Sequence, residues 1–181
     1  MKLMDLINKR QSVRRYANRA VEEEKIQRCL DAALMAPSAC NAQPWKFIVV
    51  NEPSLVKIVA RETWNKIAAF NKFVDEAQVI IVITMEKSPM VPSLGKMIKH
   101  IDYPYIDIGI AAEHFCLQAT EEGLGTCMLG WFNEKPIQKL LNIPKNRKIG
   151  LLISVGYEPD DYKQREKIRK KIESVVSYNR Y

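Results

Sequence analysis

"LMAPSACNAQPWKFIVV", residues 34–50, changes character in its middle and sets the reading of everything around it. Leu34 closes a helical pattern in which Ile26, Cys29, Leu30, Ala33 and Leu34 recur at i, i+3, i+4, i+7 and i+8. Trp45 to Val50 is β-branched and aromatic, and reads as a strand. Between them stand nine residues, Ala36 to Pro44, mostly small or amide-bearing and bracketed by prolines. A plain connection needs only about two to five. Small side chains let the backbone approach a ligand, and Ser38, Asn41 and Gln43 supply neutral donors and acceptors. The loop is expected to lie along something flat and polar.

Upstream, Leu3, Leu6 and Ile7 predict a short amphipathic helix ending near Arg10. Glu22, Glu23 and Glu24 favour the start of the helix that ends at Leu34. Downstream, Asn51-Glu52-Pro53 opens another helix, and residues 64–76 read as helical with a weak pattern. Val79 to Met85 is a continuous apolar run, hence a strand covered on both faces. Residues 86–102 read as a loop or lid. Tyr103 to Glu122 is apolar nearly all round, which predicts a buried central helix capped by Gly123. Thr126–Leu129 and Ile149–Gly156 are strands, with a helix from Asn133 to about Leu141 between them. A polar, basic tail follows Tyr157. The class is α+β or α/β, without internal repeats.

Composition narrows the function. A chain of 181 residues, 47% apolar, is expected to form one domain. No apolar run reaches the length of a membrane span, and the N-terminus lacks a signal-peptide core. The four cysteines, at 29, 40, 116 and 127, have no C-x-x-C spacing and read as reduced thiols in an apolar, cytoplasmic setting. The net charge of +7 is concentrated: Lys163 to Lys171 holds six basic residues against one acidic. Neither a nucleic-acid nor a membrane partner is expected from so local a patch. Two histidines without a carboxylate or thiol cluster argue against a metal site, and no G-x-S-x-G, Walker A or G-x-G-x-x-G is present.

Cations and amides at element ends remain. "RQSVRRY", residues 10–16, places Arg10, Ser12 and Arg14 on alternate positions, so an extended chain turns all three to one side, toward a phosphate or a carbonyl edge. Lys167 and Arg169 repeat the alternation near the other terminus. Alone, each segment also fits a solvated basic stretch. Trp131 and Phe132 fit core packing better than a pocket wall, and Asp107, in the apolar helix, is expected to partner a cation or an amide.

Taken in order and spacing, "RQSVRRY", "APSACNAQPWKFIVV", "GLGTCMLGWF", "ISVGY" and "KIRKKIESVVSYNRY" resemble the FMN-dependent nitroreductase family, from about Asp5 to the last residue. The R-x-S-x-R start and the P-S-x-x-N-x-Q-P-W loop are the specific parts. The resemblance implies an α+β fold: a three-layer α-β-α sandwich with a mixed, mainly antiparallel sheet around a buried central helix. It implies a single FMN-binding domain over 1–181, in a homodimer that exchanges C-terminal tails, 158–181 packing on the partner subunit. FMN would bind at the interface. Arg10, Ser12, Lys167 and Arg169 would hold its phosphate end, Gln11 would also contact the cofactor, and Arg14 would face the pyrimidine edge. Pro37, Ser38, Ala39, Asn41 and Gln43 would line it from the partner. Met128, Leu129 and Gly130 would pass near N5, and one of two alignments brings Asn71 to the pyrimidine edge. The implied activity passes hydride from NAD(P)H to flavin N5 and then electrons to a small oxidant, such as a nitroaromatic or quinone, by a ping-pong route. No side chain acts as acid or nucleophile. The resemblance also covers reductive dehalogenases and flavin-fragmenting enzymes, and a non-catalytic FMN-binding or sensing role stays open. The segment between Val82 and Tyr103 lacks the helical insertion of larger members.

Overall fold

The computed structural model describes residues 2–65, 69–87 and 101–181. Most of the expected 86–102 loop, His100 included, lies outside them.

The sheet grows around Val79–Met85 (β2), whose alternation feeds two cores at once. Val79, Ile81 and Ile83 enter one cluster, while Ile80 and Val82 enter the other. Period-2 geometry forces this split: successive side chains leave opposite faces, and an unbroken apolar run needs cover on both. On one side lie Glu23–Leu34 (α2) and Tyr103–Glu121 (α4). On the other lie Pro53–Arg61 (α3), the 3-10 segment Ala69–Glu76 and Glu134–Leu140 (α5). Three layers result, and the fold is the α+β sandwich that the motifs imply.

Trp45–Val50 (β1), Gly125–Leu129 (β3) and Lys148–Gly156 (β4) complete a four-stranded sheet of order β1-β2-β4-β3. All three pairings are antiparallel, with Val49 opposite Ile81, Ile81 opposite Ile153, and Val155 opposite Thr126. A single parallel bridge, Ser12 with Thr126, extends the sheet past β3. Gly123 has φ +76 and ends α4 as a left-handed cap.

Leu3–Lys9 (α1) buries no residue, and its Leu3 and Met4 are exposed. The central helix is less enclosed than its composition predicts. Tyr105 and Ile106 face solvent, while Asp107, Ile108, Ala111, Ala112 and Phe115 are buried. Among the described residues the sheet and α2 cover most of α4, with α1 and the Ala39–Asn41 turn adding smaller contacts, so part of its circumference stays uncovered. Residues 64–76 correct the helical expectation: the described part is two irregular residues, 64–65, and a 3-10 segment, Ala69–Glu76. Asn133 precedes α5, but its amide donates to Glu62 at 3.0 Å and makes no side-chain cap.

The two ends of the chain run antiparallel, side by side. Ala17 N–H donates to Tyr157 O at 2.8 Å, Arg14 N–H to Tyr162 Oη at 2.9 Å, and Arg165 N–H to Gln11 Oε1 at 3.1 Å. Beyond Arg169 the tail leaves the chain. Ile168, Ile172, Val175 and Val176 are exposed, and only Ile172–Ser174 forms a 3-10 turn rather than a longer helix.

Candidate functional site

The cation cleft begins at the edge of β3. Val13 N–H donates to Thr126 O at 2.8 Å, and Val13 is 1% exposed. A Cβ at Gly125 would stand 2.7 Å from Val13 Cγ2, so only glycine lets this segment dock so closely. With Val13 pinned inward, the flanking alternate residues turn outward. Arg10, Ser12 and Arg14 line one cleft of about 410 Å³, with Arg165, Glu166, Lys167 and Arg169 from the tail. All three residues of the alternation in "RQSVRRY" line the cleft, and so does Gln11 between them.

The tail is tied down by hydrogen bonds to the backbone it faces. Lys167 Nζ donates to Arg10 O, and the Arg165 guanidinium to Ser12 O. Gln11 lines the same cleft and ties the tail to it: Oε1 accepts from Arg165, and Nε2 donates to Glu158 at 3.4 Å. Burial, with Arg10 and Arg169 beside it, holds Lys167 below the ordinary lysine value of 10.5. Arg10 Nε lies 3.3 Å from Glu113 Oε1 on α4, yet it is closed off from solvent and makes no hydrogen bond. The two observations agree once direction is considered, because the charges are close while the N–H is not aligned with the oxygen.

From the cleft, β3 leads toward the remaining expected residues. Burial pushes the Cys127 thiol up, while Arg14 beside it and a hydrogen bond from Ser12 act in the opposite sense. Three residues on is Gly130, roughly 10 Å along an extended strand. Leu129 is buried, Met128 half-buried and Gly130 exposed. Just past them, buried Asn71 donates from Nδ2 to Trp131 O at 3.2 Å. Phe70 and Trp131 meet edge to face, their ring centres 5.6 Å apart and both partly in solvent, whereas Phe132 packs into the core. Cation cleft, strand and amide thus lie along one edge.

Pro37, Ser38, Ala39, Asn41 and Gln43 are elsewhere: none of them lines this cleft. Their loop is held in an unusual shape, with Cys40, Asn41 and Gln43 all at positive φ (52, 53 and 45). Left-handed backbone costs a non-glycine residue about 1–2 kcal/mol, and local bonds offset it. Ser38 Oγ accepts Gln43 N–H at 2.9 Å, and Gln43 Nε2 donates to Asn41 O at 3.2 Å. Asp107 Oδ1 accepts Ala39 N–H at 3.2 Å, so this acid is the partner of an amide, and its Oδ2 is buried without a partner. Cys40 is exposed, contrary to the apolar setting expected of all four cysteines.

Other candidates offer less chemistry. A larger cleft, about 600 Å³, lies at the β1 edge, but its Arg147 and Glu86 already pair at 3.1 Å and it holds none of the expected residues. Burial pushes the Cys29 and Cys116 thiols up to about 12, which removes them as thiolates. Among the described residues there is no metal-ligand cluster, and no helix is long and apolar enough to cross a membrane. Sequence reasoning missed two residues. Arg165 continues the alternation of Lys167 and Arg169 and was legible on that ground. Glu113 carried only a weak signal, a carboxylate on a mostly apolar helix.

The sequence profile of the Nitroreductase family matches residues 7–157. A protein of Archaeoglobus fulgidus, provisionally named NADH dehydrogenase/NAD(P)H nitroreductase, is 32% identical over 166 residues, which cover 87% of this chain and 86% of its own. An iodotyrosine deiodinase of Thermotoga neapolitana is 26% identical, with 99% of this chain and 98% of that protein covered. Among solved structures, an FMN-dependent nitroreductase of Clostridium difficile superposes with a TM-score of 0.79 at 28% identity, covering 99% of this chain and 100% of that one. Profile, sequence and fold agree over nearly the whole length: the chain belongs to the nitroreductase family.

Proposed function

We propose that this chain is an FMN-dependent oxidoreductase that takes hydride from NAD(P)H and hands electrons to a small oxidised acceptor, such as a nitroaromatic or a quinone, in ping-pong order. The cation cleft carries the reading. It gathers five cationic side chains around one opening, a setting suited to an anionic oxygen. Arg10, Ser12, Lys167 and Arg169 fit a phosphate monoester. The adjoining stretch of β3 from Cys127 to Gly130 matches the length of a flat ring system.

When bound, FMN supplies two-electron chemistry at N5, reduced by NAD(P)H and reoxidised by the acceptor. The protein binds and orients. Arg14 would place its charge at the pyrimidine edge, where electron density collects on reduction. The backbone of Met128, Leu129 and Gly130 would run along the ring, with Asn71 at the pyrimidine edge. Among the described residues of this site no acid, base or nucleophile is poised for chemistry of its own, which suits a cofactor that carries the reaction.

The loop enters through a second copy. It is preformed but stands apart from the cleft of its own chain, so a homodimer would bring Pro37, Ser38, Ala39, Asn41 and Gln43 to the partner's cofactor. The same dimer would cover exposed Leu3, Met4, Tyr105 and Ile106, and would receive the tail beyond Arg169. The full-length likeness to an iodotyrosine deiodinase makes a halogenated tyrosine the second acceptor to test.

The test is the visible spectrum of the purified chain before and after anaerobic NADH or NADPH. Yellow protein that bleaches with either is expected. Yellow protein that stays yellow would reduce the role to binding, and colourless protein after incubation with FMN would overturn the cofactor assignment.

A further inference from the structure

Glu113 stands where a ligand oxygen would otherwise neutralise Arg10. Its Oε1 is 3.3 Å from Nε, near enough for charge and too poorly aligned to satisfy the N–H. It also acts on Lys167: burial, Arg10, Arg169 and Arg165 depress that ammonium, while Glu113 works against them. Arg10, Arg14, Arg165, Lys167 and Arg169 crowd the cleft, and among the described residues Glu166 is the one carboxylate lining it. Like charges this close repel, and a carboxylate set against Arg10 but outside the cleft lining relieves that repulsion without filling the site.

We propose that Glu113 is the resident counter-ion of the cleft. It compensates Arg10 and Lys167 while no anion is bound, and it competes with the dianionic phosphate group that the cleft accepts. The competition rests on the reading of this cleft as a phosphate site, and the chemistry is the same for inorganic phosphate and for the phosphate of FMN. Two consequences of opposite sign follow. Without the Glu113 charge the empty protein is less stable, because its cations lose their compensation. An incoming dianion then binds more tightly and with a steeper salt dependence, because nothing competes for Arg10. A residue that merely shaped the cleft would lower stability and affinity together.

Glu113→Gln keeps the shape and removes the charge at a half-exposed position, so the variant should fold. Glu113→Asp keeps the charge. Calorimetry with inorganic phosphate, flavin-fluorescence titration with FMN and thermal melts in phosphate-free buffer read the three quantities. Glu113→Gln should bind phosphate and FMN about fivefold more tightly, the effect of one partly screened charge, and should melt earlier when empty. Glu113→Asp should stay near wild type in both. Weaker or unchanged phosphate binding by Glu113→Gln would overturn the counter-ion role, even if the wild type binds FMN and is reduced. Tighter phosphate binding in a protein that ignores FMN would leave the counter-ion standing and sink the flavin reading instead.

Discussion

The cation cleft is assembled from the two ends of one chain, whereas the Pro37–Gln43 loop is assembled almost wholly from itself. Residues 10–14 and 165–169 meet only because Val13 docks on Thr126 and the tail retraces that segment. The loop holds its shape through bonds within residues 38–43, and among the described residues Asp107 on α4 anchors it from a distance. A cleft made from distant segments is complete only when the whole domain folds. A loop that keeps a strained shape by local bonds can be offered outward, already formed, to another molecule. That contrast supports a composite site, with an anion end supplied in cis and a flat wall supplied by a second copy.

The sharpest way to break the comparison is to empty the cleft. Lys167→Ala with Arg169→Ala removes two cations facing the proposed phosphate. Charge-assisted bonds contribute about 1.5–3 kcal/mol each, so FMN affinity should fall by roughly 100-fold or more. Riboflavin, which lacks the phosphate, should bind wild type and variant alike. Equal FMN dissociation constants for the two proteins, measured by fluorescence quenching, would remove the tail from the site.

A smaller effect is expected from the loop. Asp107→Ala leaves Ala39 N–H without its acceptor and should cost about 1–2 kcal/mol, the lost bond being partly offset by relief of the unpartnered Oδ2. Asp107→Asn still offers an acceptor and should recover most of that loss. Hydrogen exchange at Ala39 and Asn41 should speed up in the alanine variant, while phosphate affinity of the cleft stays unchanged. A simultaneous loss of phosphate binding would show that loop and cleft are one cooperative unit and not two.

This difference in construction also decided what could be read beforehand. The strands were legible because Val79–Met85 and Trp45–Val50 are unbroken runs of mostly β-branched, aliphatic and aromatic residues, a signal carried within a few positions. The alternation of Arg10, Ser12 and Arg14 was legible for the same reason, since one buried Val13 fixes where its neighbours point. Gln11 was placed at the cleft by its position alone, and only the folded tail shows that its amide oxygen also accepts from Arg165. The exposed side of α4 misled: composition reports how apolar a helix is, and not how many neighbours the chain provides for it. Glu113 and its contact with Arg10 join elements about a hundred residues apart, and no local pattern encodes them.

The finest distinction between cleft and loop is electrostatic, and Lys167 supplies it. Its ammonium is depressed below 10.5 in the folded, ligand-free protein, by burial first and by Arg10 and Arg169 next. The unfolded chain therefore binds this proton more firmly than the folded one. The stability deficit is present while both states are protonated, and it fades as pH rises through the depressed value toward the unfolded one. A bound dianion reverses the neighbourhood and favours the charged amine, so phosphate binding takes up a proton in the alkaline range. Phosphate affinity should then decline a few-fold as pH climbs through that window, by about tenfold per pKa unit of difference between bound and free forms at most. Calorimetry in two buffers of different ionisation heat reads the proton directly. Lys167→Arg, which stays charged across the window, should flatten the profile, and an unchanged slope in that variant would place the titration on another group.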